Sequence, residues 1–182
     1  MVILASASPR RQELLKMIVS DFSVLPANID ETADEGIDIL LHPEHLAVKK
    51  AGHIHNEHYD DIVIGSDTGV FVDGEMLGKP ENFDDAVNML RRLSGRTHKV
   101  ITGCAVFYKD KMISFSQTTE VEFYPLCDKE IEDYVKTGEP MDKAGAYGIQ
   151  GLGAFLVKGI NGDFYNVIGL PVAQLKRELE KI

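Results

Sequence analysis

The apolar positions of the chain fall into short runs and into spaced sets. Ile62-Val63-Ile64 has the length and β-branching of a buried strand, and it empties into the small, polar Gly65-Ser66-Asp67-Thr68. A second run, Val70-Phe71-Val72, follows at once and turns at Asp73-Gly74, so Asp67 is expected near a bend between two β segments. Val2 to Ala5 and Phe22 to Leu25 read as strands, the latter ended by Pro26. Thr97 to Tyr108 and Met112 to Tyr124 carry alternating apolar residues and flank the polar turn Lys109 to Lys111, the pattern of an antiparallel hairpin. Ala154 to Val157 and Phe164 to Ile168 read as two more strands, with a tight turn at Asn161-Gly162-Asp163 between them.

The spaced sets predict helices. Ser8 is a good N-cap and Pro9 suits the first helical position, with Leu14, Leu15, Met17 and Ile18 as the inward face. From Pro43 to about Asn56, Leu46, Ala47, Lys50, Ala51 and Ile54 share one side. Lys50 is the odd member there, its stem either snorkelling out of the core or its charge turned towards a site. Asn82 caps a helix through Ala86, Val87, Met89, Leu90 and Leu93, stopped by Ser94-Gly95. Asp128 caps a short helix from Lys129 to Lys136, and Pro171 opens the last one. Between these two helices, Gly138 to Gly153 is dense in glycine, which suggests a backbone that must approach something closely.

Composition narrows the possible functions. The chain has 182 residues, 44% of them hydrophobic, enough to build a core as one domain or a two-lobed fold. Its 29 acidic and 19 basic residues leave a formal charge of −10, which disfavours a general nucleic-acid binder relying on many Lys and Arg contacts. An anionic small substrate remains compatible if the cations gather in one pocket. Cys104 and Cys127 lack ligand spacing and read as small buried hydrophobes. No signal peptide or membrane-length apolar run is evident, so the cytoplasm is the expected compartment.

Several residues carry candidate chemistry. Asp67 and Lys79, the latter between Gly78 and Pro80, offer a carboxylate and an ammonium group from neighbouring loops. Arg10 and Arg11 stand in the first turn of a helix, where cations are unfavourable unless an anion offsets them, and a phosphate would accept bidentate contacts from their forks. The acidic loop Asn28 to Glu35 reads as solvated surface, or as a source of oxygen ligands for Mg²⁺ or Mn²⁺. His53, His55 and His58 fit no metal-binding spacing and read as an exposed helix end. Gly74 to Pro80 is one residue short of a phosphate loop and has Pro80 where a metal-binding Ser or Thr is needed. Gly148, Gly151 and Gly153 have the dinucleotide spacing reversed, and no Gly-x-Ser-x-Gly nucleophile elbow is present.

Five blocks carry a resemblance over nearly the whole chain: Leu4 to Leu15, Gly65 to Thr68 with Leu77 to Pro80, Met89 to Gly95, Gly138 to Gly151, and Asn166 to Pro171. Together they resemble the Maf family of nucleoside triphosphate pyrophosphatases, also described as septum-formation inhibitors, and the last two look like its dTTP/UTP branch. The resemblance implies a single domain over residues 1–182, built as a mixed, twisted α/β sheet with flanking helices in two lobes around a deep cleft, similar to inosine triphosphate pyrophosphatases. It implies hydrolysis between the α and β phosphates with a divalent cation, Mg²⁺ or Mn²⁺, by a cytoplasmic protein that often forms homodimers. By position, Asp67 matches the proton acceptor, and Arg10, Thr68 and Gln150 match positions linked to pyrimidine choice. Ser8, Arg11, Glu31, Lys50, Lys79, Asp142 and Lys143 match polar residues around the triphosphate and metal, with Glu31 and Asp67 the metal candidates. Asp30 and Lys49 stand as alternatives to Glu31 and Lys50. A regulator of cell division that binds nucleotide without turnover is the rival expectation.

Overall fold

The computed structural model describes residues 1–32 and 36–182, so the end of the acidic loop, at 33–35, lies outside the described residues. Seven strands form one mixed sheet: β1 (Val2–Leu4), β2 (Ser23–Val24), β3 (Ile62–Val72), β4 (Glu75–Leu77), β5 (Thr97–Tyr108), β6 (Lys111–Phe123) and β7 (Val157–Asn161). Their order is β2-β1-β3-β5-β6-β7, with β4 paired to β3. β1 runs parallel to both β2 and β3, whereas β3 with β4 and β6 with β7 are antiparallel. Among the described residues, six α-helices accompany it: α1 (Pro9–Leu15), α2 (His42–His55), α3 (Phe83–Leu93), α4 (Asp128–Lys136), α5 (Phe164–Ile168) and α6 (Val172–Leu179).

The chain divides into two compact units. The first comprises residues 1–68, 102–117 and 169–182, and the second 69–101 and 118–168. In the first unit, Ile3, Ala5, Ala47, Ala51, Val63 and Ala105 form a core of small and β-branched side chains. The small residues let α2 lie very close to the sheet. A Cβ added at Gly65 on β3 would stand 2.3 Å from the carbonyl oxygen of Ala47, and one at Gly103 on β5 would stand 2.2 Å from Cα of Glu44. Helix and strands therefore meet backbone to backbone. In the second unit, Val87, Leu90 and Leu93 of α3 and Ile131 and Val135 of α4 pack with Val100, Val121 and Phe123 of the sheet.

Several elements differ from expectation. β3 is one continuous strand, so Asp67 and Thr68 stand within it and not at a bend. α1 ends at Leu15, which leaves Met17 exposed. α4 is entered from Cys127, whose N–H donates to the Glu130 carboxylate at 2.8 Å, while Asp128 pairs with Arg91. Ala154 to Leu156 belong to a 3₁₀ turn, Gly151–Leu156, and the strand starts at Val157. Phe164–Ile168 is helical, its start held by the Asp163 carboxylate, which accepts the Tyr165 N–H at 2.8 Å. His55 is buried and its Nε2 meets the Lys109 carbonyl at 3.0 Å, so it anchors the end of α2 instead of lying on an exposed surface.

Candidate active site

In the first unit, α2, β3 and the loop that carries Glu31 bring together three of the expected residues. The backbone-to-backbone contact of α2 with β3 at Gly65 lies two positions before Asp67, so the side chain of Lys50 crosses to the strand instead of snorkelling away. Lys50 is 7% exposed. Its Nζ donates to Oδ1 of Asp67 at 2.8 Å and stands 2.9 Å from Oε1 of Glu31. A buried ammonium group is tolerated when carboxylates replace its water, and here two do so. Glu31 itself is exposed. Its neighbour Asp30 turns back on its own loop, accepting from the N–H and Oγ1 of Thr32 at 2.9 and 2.7 Å.

Arg11 leaves α1 from beside the Ser8 cap, whose Oγ accepts the Arg11 N–H at 3.5 Å. The guanidinium donates from Nε to the Gly169 carbonyl at 2.9 Å, from Nη1 to Ser6 Oγ at 3.1 Å, and from Nη2 to Thr68 Oγ1 at 3.0 Å. All three acceptors are neutral, so they orient the charge without cancelling it. Desolvation by burial lowers the Arg11 pKa from its ordinary value; Asp67 is the strongest opposing influence, and the neighbouring charge of Arg10 adds to the lowering. Thr68 Oγ1 also lies 2.9 Å from Thr102 Oγ1, and Ser66 Oγ donates to the same Gly169 carbonyl at 3.1 Å. Buried Cys104 beside Ser66 is no nucleophile, because burial pushes its thiol up to about 12.

The second unit holds the other expected residues. Lys79 is exposed and follows Gly78, whose carbonyl accepts the Gly145 N–H at 3.0 Å. Lys143 Nζ donates to Asp142 Oδ1 at 2.7 Å and to the Glu139 carbonyl at 2.6 Å. Gln150 is exposed and immediately precedes the Gly151–Leu156 turn. The glycines of this stretch approach the chain itself. A Cβ at Gly153 would stand 2.0 Å from the Gly148 carbonyl oxygen, and one at Gly145 2.8 Å from Val70 Cγ1.

Sequence reasoning missed Ser6, Thr102 and Gly169 in the first unit and Tyr134 and Glu139 in the second. Ser6, Gly169 and Glu139 lie inside the resembling blocks but announce no charge chemistry of their own. Among the described residues, no group of three or more His, Cys, Asp or Glu side chains is gathered for a metal. The Asp67 and Glu31 carboxylates, both within reach of one ammonium group, are hard oxygen donors of the kind that Mg²⁺ or Mn²⁺ takes.

The sequence matches the family described as Maf-like protein over residues 1–182. This chain belongs to that family. The Maf-like chain is 49% identical over 180 residues to a dTTP/UTP pyrophosphatase of Bacillus velezensis, covering 99% of this chain and 95% of the relative. A protein of the same description from Halalkalibacterium halodurans is 47% identical, covering 98% and 94%, and one from Aquifex aeolicus is 45% identical, covering 100% and 95%. Among solved structures, the Staphylococcus aureus Ham1 protein superposes with a TM-score of 0.58 at 18% identity, covering 99% of this chain and 98% of its own. A HAM1 protein from Coxiella burnetii gives 0.57 at 14% identity, covering 100% and 98%. These two likenesses concern the fold, and they agree with the mixed α/β sheet with flanking helices expected of the Maf-like chain. No helix among the described residues is long and apolar enough to cross a membrane.

Proposed function

We propose that this chain is a nucleoside triphosphate pyrophosphatase that hydrolyses the α–β phosphoanhydride bond of dTTP and UTP, releasing the monophosphate and pyrophosphate. The observation that carries the reading is Lys50 Nζ held between Asp67 and Glu31. The relatives described as dTTP/UTP pyrophosphatases, matched over nearly their whole length, support it.

Water attacks the α phosphorus; its O–P bond forms as the bond to the bridging oxygen breaks, and the electron pair leaves with pyrophosphate. Asp67 takes the water's proton on the carboxylate oxygen not engaged by Lys50, and Lys50 holds that carboxylate in place. Arg11 offers an oriented positive charge to the phosphates, with Arg10 beside it and Ser8 capping the turn that carries both. Glu31 would hold Mg²⁺ or Mn²⁺ together with the phosphates, Asp67 joining it only as the alternative to its role as base, and the ion would supply neutralisation of charge on the phosphate oxygens. Lys79, Asp142 and Lys143 serve the triphosphate, while Arg10, Thr68 and Gln150 serve pyrimidine choice. The chain works as one catalytic domain over residues 1–182, as a homodimer in the cytoplasm.

Pyrophosphate release from UTP and dTTP, measured with and without Mn²⁺, tests the activity. Turnover of both by wild type and its loss in Asp67→Asn support the reading. Tight binding without release of pyrophosphate would instead make the chain a nucleotide-responsive regulator. Gln150→Ala assayed with UTP, CTP and GTP tests the specificity assignment, which an unchanged preference would overturn.

A further inference from the structure

Glu139 has no part in the chemistry above, yet its side chain gathers the backbone around Gln150. Oε1 accepts the Gly153 N–H at 3.0 Å and the Tyr134 hydroxyl at 3.0 Å, and Oε2 accepts the Leu152 N–H at 3.1 Å. Leu152 and Gly153 are the second and third residues of the 3₁₀ turn that Gln150 precedes, so Glu139 satisfies the orphan amides that an N-cap side chain would. On the other side of Gln150, the Gly148 N–H donates to the Tyr134 hydroxyl at 3.2 Å. Gly151 has φ +67°, and a Cβ there would meet Oε2 of Glu139 at 2.8 Å, so the turn closes over the carboxylate only with glycine. Partial burial works to raise the Glu139 pKa, but hydrogen bonds from Gly153, Leu152 and Tyr134, with the charge of Lys143, outweigh it and leave it below its ordinary value. The acid is therefore ionised, with both oxygens engaged.

Resting on the pyrophosphatase reading above, we infer that Glu139 is a positioning residue for pyrimidine choice: with Tyr134 it fixes the backbone on both sides of Gln150, so that the Gln150 amide meets the base in one orientation. The chemistry of the bases gives that orientation its value. Uracil and thymine present an imide N–H beside carbonyl oxygens, whereas cytosine presents a ring acceptor beside an amine. A primary amide held one way round matches the first pattern with its oxygen and its NH₂ and opposes the second; an amide free to turn over serves both.

The test compares wild type with Glu139→Ala, Glu139→Gln and Tyr134→Phe, reading kcat and KM for UTP and CTP and hydrogen exchange at residues 148–153. In Glu139→Ala the preference for UTP over CTP should fall by about tenfold or more, through a higher KM for UTP, with kcat within about threefold of wild type and faster exchange at Leu152 and Gly153. Glu139→Gln should fall between the two, because its oxygen can still serve Gly153 while its NH₂ opposes the Leu152 N–H. Tyr134→Phe should shift the preference the same way by less, and these two variants carry the test should Glu139→Ala fail to fold. An unchanged preference despite faster exchange overturns the inference, as does an equal loss for both nucleotides with kcat falling. A wild-type protein that releases no pyrophosphate from either nucleotide defeats the activity reading, and that result is visible before any variant is made.

Discussion

Lys50 Nζ stands 2.8 Å from Oδ1 of Asp67, across the gap between the inward side of α2 and the middle of β3. The ammonium group also reaches Glu31, so removing it leaves two carboxylates facing each other with no cation between them. Lys50→Met should lower pyrophosphate release by roughly 100-fold or more, since the proposed proton acceptor loses the group that holds it. The stability cost should be modest, about 1–3 kcal/mol, because Glu31 is exposed and can move into water. Steady-state kinetics and urea unfolding on the same preparation check both figures; near-normal kcat would remove Lys50 from the proposed mechanism.

Arg11 gives a second prediction. Its three donors reach the carbonyl of Gly169 and the hydroxyls of Ser6 and Thr68, oxygens spread over a planar fork. A lysine is a single point of charge that cannot span them. Arg11→Lys should therefore destabilise the fold by about 1–3 kcal/mol and raise KM for UTP, although net charge is unchanged. A midpoint shift in urea at constant slope, read beside KM, distinguishes this from a purely electrostatic role, in which the lysine would substitute well.

Asn166 is fully buried, and its Nδ2 donates to the Val100 carbonyl at 3.0 Å and to Thr119 Oγ1 at 2.8 Å. Thr119 in turn donates to the Asp163 carbonyl and accepts the Asp163 N–H. The asparagine of the block Asn166 to Pro171 is thus a structural tie in the second unit. Asn166→Asp places an acceptor against the Val100 carbonyl and should cost about 2–4 kcal/mol. Thermal unfolding should show the loss, while kcat per folded molecule stays near wild type.

His98 supplies a pH dependence. It is buried, its Nε2 lies 2.7 Å from the Tyr147 hydroxyl, and its Nδ1 has no partner. Desolvation by burial lowers its pKa from the ordinary 6.5 to about 4. Between those values the unfolded chain binds a proton that the folded chain refuses, so stability falls as pH drops through that window. From pH 7 to pH 5 the wild type should lose about 2 kcal/mol more than His98→Gln, which keeps a polar partner for Tyr147 but does not titrate. Urea unfolding at the two pH values checks the difference, and equal losses would mean that His98 is not the group responsible.

How far the sequence revealed this molecule depended on whether the deciding force was local. The long strands Thr97–Tyr108 and Lys111–Phe123 and the Asn82-capped α3 were legible because alternation and capping act within a few residues. Phe164–Ile168 misled for the opposite reason: Phe, Tyr, Val and Ile favour strands, but the Asp163 cap and the buried bonds of Asn166 impose a helix. Asp67 was legible as a candidate, yet the polar, glycine-containing Gly65 to Thr68 resembled a break in β3 because its partners come from distant elements: α2 for Gly65 and Asp67, α1 and β5 for Thr68. Adjacent like charges, Asp30 with Glu31 and Lys49 with Lys50, left alternatives that the sequence could not order, because which carboxylate meets which ammonium group depends on contacts between distant segments, such as that of Glu31 with Lys50.

The bare backbone at Gly65 and Gly103 has a consequence for how this protein can drift. Because α2 is seated through main-chain atoms at both points, the distance from Lys50 to Asp67 owes little to the residues on the outward side of that helix. A residue such as His53 is free to vary with habitat or partner without retuning the chemistry, whereas a single methyl group on either glycine would lift the helix and carry the ammonium group away with it.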